Sequence, residues 1–230
     1  SIYVCDATTH VPAVTDWSGI PGSGVTGPIK RYVAQSSSGT GKFFAKYVTG
    51  SETFLNTNCA DGTTVFANNN SSDTTDYRAI VTQENDARAI ATADKAKAIY
   101  YFSYGQWYAQ SKSVLADVRN GAVLGAIDVS GTIIKPSSAT INTGATRFPA
   151  TRYLYNILDT RNPSYLAAAK FVGGGDLDSD PNTPVTNGWL CSNKGQNIIK
   201  LLGFAPLKKA VDPNTTIQSY CLKNPTALGL

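Results

Sequence analysis

The stretch that most constrains this chain is residues 28–48, where one kind of periodicity gives way to another across a turn of small hydroxyl residues. Pro28–Gln35 (PIKRYVAQ) alternates in character from residue to residue and reads as a strand. Ser36–Gly41 is polar and contains two glycines. Lys42–Val48 (KFFAKYV) then reads as a short helix whose natural N-cap is Ser38 or Thr40. A strand running straight into a helix is half of a βαβ unit, and that unit commits the chain to a parallel sheet with helical cover. The remaining pattern agrees. Glu84–Asp94 predicts a helix with Ala87, Ile90 and Ala91 on one face. Ala98–Ser103 (AIYYFS) predicts a buried strand, Tyr104–Gln110 a helix, Ala122–Asp128 (AVLGAID) another buried strand and Thr132–Lys135 a third. From Arg147 onward, Ala150–Leu158 predicts a strand and Ser164–Val172 a short amphipathic helix. Gly173–Pro184 reads as a loop, and Gly188–Leu202 as a helix ended by Gly203. The expected class is α/β.

Composition narrows the function. With 20 basic and 16 acidic residues in 230 the formal charge is +4, and no basic cluster gives nucleic acid a footing. No apolar run is long enough for a transmembrane helix. The chain has no Met and starts at Ser1, which reads as a processed, tagged or truncated product from which any signal peptide has gone. Four cysteines, Cys5, Cys59, Cys191 and Cys221, in a chain rich in Ser, Thr, Asn and Gly fit an exported protein with two disulfides. Three pairings are possible. Cys5–Cys59 with Cys191–Cys221 is favoured because each closes a loop within one half of the chain; the alternative is four buried thiols in a reducing compartment.

Several apparent motifs fail on context. Gly22-Ser-Gly24-Val-Thr-Gly27 matches a dinucleotide fingerprint but lacks a preceding strand and a following helix. Ser38-Gly-Thr-Gly-Lys42 looks like the end of a P-loop, yet Ser36 and Phe43 stand where a Gly and a magnesium-ligating hydroxyl are needed. Asp176, Asp178 and Asp180 have calcium-loop spacing, but Pro181 replaces the required Gly and Asn187 the bidentate Glu. His10 is the single imidazole and no G-x-S-x-G occurs, so the chain is not expected to be an enzyme, and no cofactor is expected.

What remains is the turn itself. A helix start exposes unpaired N–H groups and the positive end of its dipole. Gly39 and Gly41 let backbone approach an anion, and Ser38 and Thr40 set hydroxyls beside those amides. Such a nest suits a dehydrated oxyanion without any formal positive charge. A helix that merely caps itself uses the same residues.

Four segments carry a family resemblance in order. They are Asp16-Trp-Ser-Gly-Ile-Pro21 with Gly27-Pro-Ile-Lys-Arg-Tyr32 and Ser38-Gly-Thr40 before a Phe-Phe helix; Ala98–Tyr104; Phe148-Pro-Ala-Thr-Arg-Tyr-Leu-Tyr155; and Lys194-Gly-Gln-Asn-Ile-Ile-Lys200 through Gly203-Phe-Ala-Pro-Leu207. Together they resemble bacterial phosphate-binding proteins of ABC transporters, in the exported form found in high-GC Gram-positive organisms. The resemblance implies a periplasmic-binding-protein fold: an α/β lobe over residues 1–148 carrying the strand–SGT–helix element, and over 149–230 a hinge strand with the returning part of a second, incomplete lobe. It also implies phosphate or a related oxyanion as ligand at Ser38, Gly39 and Thr40, with Ser36 beside them. The implied partners are a membrane permease and ATPase, and the implied location is extracytoplasmic.

Two departures stand out. Where the family commonly has an Arg four residues before the Ser and an Asp two before it, this chain has Ala34 and Ser36. Loss of the Asp, which accepts a bond from protonated phosphate, weakens discrimination against sulfate; Ser36 keeps an acceptor, and Arg31 and Arg88 are candidate replacements for the charge. The family's first-lobe segment has no counterpart before Ser1, so an N-terminal segment or a partner chain is expected to complete the site. The faces carrying Leu166, Ala169, Phe171, Ile198 and Leu202 would then look for cover. The alternative function is an interaction or structural protein, an orphan lobe or adhesin, on the same scaffold.

Overall fold

A computed structural model describes residues 2–6, 8–9, 11–52, 79–141, 147–152, 154, 159, 161–172 and 189–206. The chain divides into two compact units, Ser1–Leu124 and Gly125–Leu230. Both helices and strands are present, and the first unit holds a small parallel sheet.

That sheet has the order β2-β1-β3, with β1 (Lys30–Ala34) between β2 (Ile80–Thr82) and β3 (Ala98–Ile99). Tyr32 and Val33 of β1 stand opposite Ile80 and Val81 of β2, and Lys30 and Arg31 stand opposite Ala98 and Ile99 of β3. Side chains alternate across a strand, and here both faces of β1 are covered. Tyr32 packs with Ala87, Ile90, Ile80 and Tyr100 on one face. Val33 packs with Tyr3, Phe44, Ala45 and Val48 on the other. A central strand buried on both sides is what a parallel sheet demands.

Helix α1 (Gly39–Thr49) supplies Phe44, Ala45 and Val48 to the second face. Ser38 caps it, and Gly50, at φ 78° in the left-handed region, ends it by donating to Lys46 O. The expected strand and helix are thus both present, with α1 starting three residues earlier than its apolar run because the cap is Ser38. Helix α2 (Tyr104–Ser111) falls where it was expected.

Two expectations for this unit are corrected. Glu84–Asp94 is a series of turns, not a helix. Asn85 sits at φ 55°, outside helical space, and the amide of Ala87 is taken by the carbonyl of Val118 at 2.8 Å. Tertiary bonds therefore outbid the alanine-rich propensity. Ala87 and Ile90 are still buried, as the apolar pattern required, but Ala91 is exposed. Ala98–Ser103 forms ladder bonds only at Ala98 and Ile99; beyond them the aromatic rings carry the packing.

In the second unit, β4 (Ile127–Val129) and β5 (Thr132–Ile134) form an antiparallel hairpin. Ser130 (φ 52°) and Gly131 (φ 85°) make the two-residue turn, both in the left-handed region that such hairpins favour. This overturns a buried strand over Ala122–Asp128. The tight turn fixes pairing to 127–129, and Val123, without a partner strand among the described residues, is 85% exposed. The strand expected at Ala150–Leu158 is not formed at its described residues, and the others lie outside the described set. Helix α3 is Tyr165–Val172. The helix expected over Gly188–Leu202 is split into a 3-10 turn, Trp189–Cys191, and α4, Asn193–Leu201. Ser192 makes the break: its hydroxyl caps the amide of Gly195, and Gly203 at φ 77° follows the end as expected. No helix among the described residues is long and apolar enough to cross a membrane.

Candidate functional site

The carboxyl ends of β1 and β2 share one edge of the sheet, and the turn that starts α1 lies there. In open α/β sheets this is the edge where ligands are bound. Three backbone bonds shape the edge. Gln35 N donates to Thr82 O at 3.1 Å, Ser38 N to Gln35 O at 2.9 Å, and Lys42 N to Ser38 O at 3.0 Å. The side chain of Gln35 then accepts from Glu84 N at 2.8 Å, tying the turn after β2 to the turn after β1.

The residues singled out in the sequence divide sharply. Ser38 is buried, and its hydroxyl accepts from Gly41 N at 2.8 Å, so it serves α1 as cap. Ser36 and Gly39 are exposed, and Thr40 is half-buried. The amide of Thr40 donates to Glu84 Oε1 at 3.0 Å. The start of α1 therefore already holds a negatively charged oxygen, supplied by the protein itself. This is the dipole preference expected of a helix N-terminus, with a carboxylate as occupant.

Glu84 is carried on a firmly held turn. Tyr100 donates its hydroxyl to Gln83 O at 2.8 Å and accepts from Asn85 N at 3.0 Å. Asn85 Oδ1 accepts from Ser103 N at 2.7 Å, and Gln110 Nε2 donates to Asn85 O at 3.2 Å. Tyr101 closes the other side. Its hydroxyl accepts from Ala34 N at 2.8 Å, and its ring stacks on Phe44 with centroids 4.6 Å apart. A Cβ on Gly41 would lie 2.9 Å from that hydroxyl, so a side chain there would have to push Tyr101 aside. Burial first, then the charge of Glu84, push the Tyr101 phenol up to about 12, so it stays protonated at neutral pH.

Neither candidate arginine is available as a replacement cation. Arg31 is buried and points its guanidinium at the carbonyls of Ile2 (2.5 Å), Val14 (3.1 Å) and Ile29 (3.4 Å), fastening the N-terminal segment to β1. Arg88 is exposed and forms a two-pronged pair with Asp86, its Nη2 2.6 Å from Oδ2. That pairing holds the Asp86 carboxyl below its ordinary value.

Glu84, Gln35 and Tyr101 went unassigned in the sequence reading. The available signal was the polar run Gln83-Glu-Asn-Asp86 immediately after a strand, at the same sheet edge as Ser36–Ser38. Elsewhere, an open hollow lined by Val4, Cys5, Asp6, Thr9, Val11 and Pro12 lies within the N-terminal loop and involves none of these residues. Cys5 is disulfide-bonded, and Cys59 and Cys221 lie outside the described residues, as do His10 and the Asp176–Asp180 acidic loop. Among the described residues no group of three His, Cys, Asp or Glu is placed to hold a metal ion.

No family model, curated protein or solved structure matches this chain.

Proposed function

We propose that the chain is an extracytoplasmic solute-binding module of the periplasmic-binding-protein type, taking phosphate or a related oxyanion at the N-terminus of α1 for uptake by a membrane permease and ATPase. The observation that carries this reading is the Glu84 carboxylate on the Thr40 amide. It supports the view that the Ser38–Gly41 turn favours an anionic oxygen. In this reading Glu84 is the resident that a guest must meet. A fully ionised sulfate brings two negative charges against the carboxylate and no proton to share. A hydrogen phosphate brings a proton that the carboxylate accepts, so Glu84 takes the discriminating part that the missing Asp plays in the resembling family. The exposed Gly39 amide and the Ser36 hydroxyl complete the donor set on the open side, and an N-terminal segment or partner chain supplies the facing half. The disulfide at Cys5 fits an oxidising compartment.

Titration of labelled protein with phosphate and with sulfate tests the reading, following the amide resonances of Gly39, Thr40 and Gly41 by NMR. Saturable shifts confined to that turn, larger and at lower concentration for phosphate, are expected. Shifts spread over the surface lysines, or none at millimolar phosphate, would sink it.

A second reading rests on a different observation. In the second unit Phe171 and Trp189 stack with centroids 5.3 Å apart and 10° between planes, yet stay 51% and 41% exposed. An exposed aromatic pair suits an interaction or structural protein built on the same scaffold. Silence of the α1 turn toward oxyanions would favour it.

A further inference from the structure

We draw no further inference here: the strongest candidate, the Glu84 side chain seated on the N-terminus of α1 as an internal plug, belongs to the site already described and has beside it, among the described residues, no second observation that points to a ligand.

Discussion

Replacing Glu84 with Ala separates the two jobs that its carboxylate performs. The bond from Thr40 N to Glu84 Oε1, at 3.0 Å, is charge-assisted and half-buried. Such a bond contributes about 1.5–3 kcal/mol net. A guest that needs the Thr40 amide must overcome that amount before it gains anything. At about 1.4 kcal/mol per factor of ten, removal of the carboxylate should tighten sulfate binding by roughly 10- to 100-fold. Phosphate should gain less, since it loses the acceptor for its proton, so the preference for phosphate over sulfate should shrink. The same substitution leaves the Thr40 amide without its carboxylate, so stability falls by the same amount, about 1.5–3 kcal/mol. That corresponds to a melting temperature lower by roughly 3–12 °C at about 2–4 °C per kcal/mol for a chain of this size. Calorimetry with both anions, alongside thermal unfolding, reads the two effects separately. If the E84A protein melts lower as expected but still takes up neither anion at millimolar concentration, the start of α1 is only a capped helix end and the oxyanion reasoning is wrong. An unchanged melting temperature would instead mean that the carboxylate does not sit on the Thr40 amide.

Further outcomes follow from the same geometry. Ser38→Ala should cost about 1–2 kcal/mol in urea unfolding, because the amide of Gly41 loses its acceptor, whereas Ser36→Ala on the exposed side should stay within about 0.5 kcal/mol; equal effects would contradict the division of roles. Gly195→Ala would put a Cβ 2.3 Å from Trp189 O and 2.7 Å from Leu190 Cα. The turn at 189–191 must then part from α4 at a cost of about 3 kcal/mol, visible as lost hydrogen-exchange protection over 193–201; retained protection would refute it. Burial and the bond to Asp94 raise the Tyr32 phenol from 10.0 to about 12. A raised folded value means that the contribution is complete below pH 10 and is lost as pH rises through about 12. Tyr32→Phe should therefore flatten the alkaline limb of stability, and a wild-type tyrosinate titration with every tyrosine near 10 would oppose the assignment.

The parts of the fold that could be read from the sequence are those governed by neighbours along the chain. Alternation of Tyr32 and Val33, a hydroxyl at Ser38 and a glycine at Gly50 specify β1, α1 and its two ends locally. The misreadings have two causes: a distant partner at Glu84–Asp94, and local turn and cap residues, Ser130-Gly131 and Ser192, that were passed over. The amide of Ala87 was claimed from Val118, thirty-one positions away, and no local pattern in Glu84–Asp94 announces that. Ala122–Leu124 has strand composition but no strand to pair with among the described residues, and the Ser130-Gly131 turn decides where pairing begins. The candidate site divides in the same way. Ser38 and Thr40 were visible because capping is local; Glu84 was hidden because forty-four positions separate it from the amide it meets.

The two-sided burial of β1 also acts as an index mark. Sliding the strand by one position would exchange a phenol and an isopropyl group between clefts shaped for the other, so the chain has one seating. Every residue downstream to Gly41 inherits its position from that seating. Adding or deleting a single residue between Ala34 and Ser38 would shift α1, with Phe44, Ala45 and Val48, against β1 and carry the hydroxyl turn away from Glu84. Length in that short connector should therefore be more tightly held than the identity of the exposed serines within it.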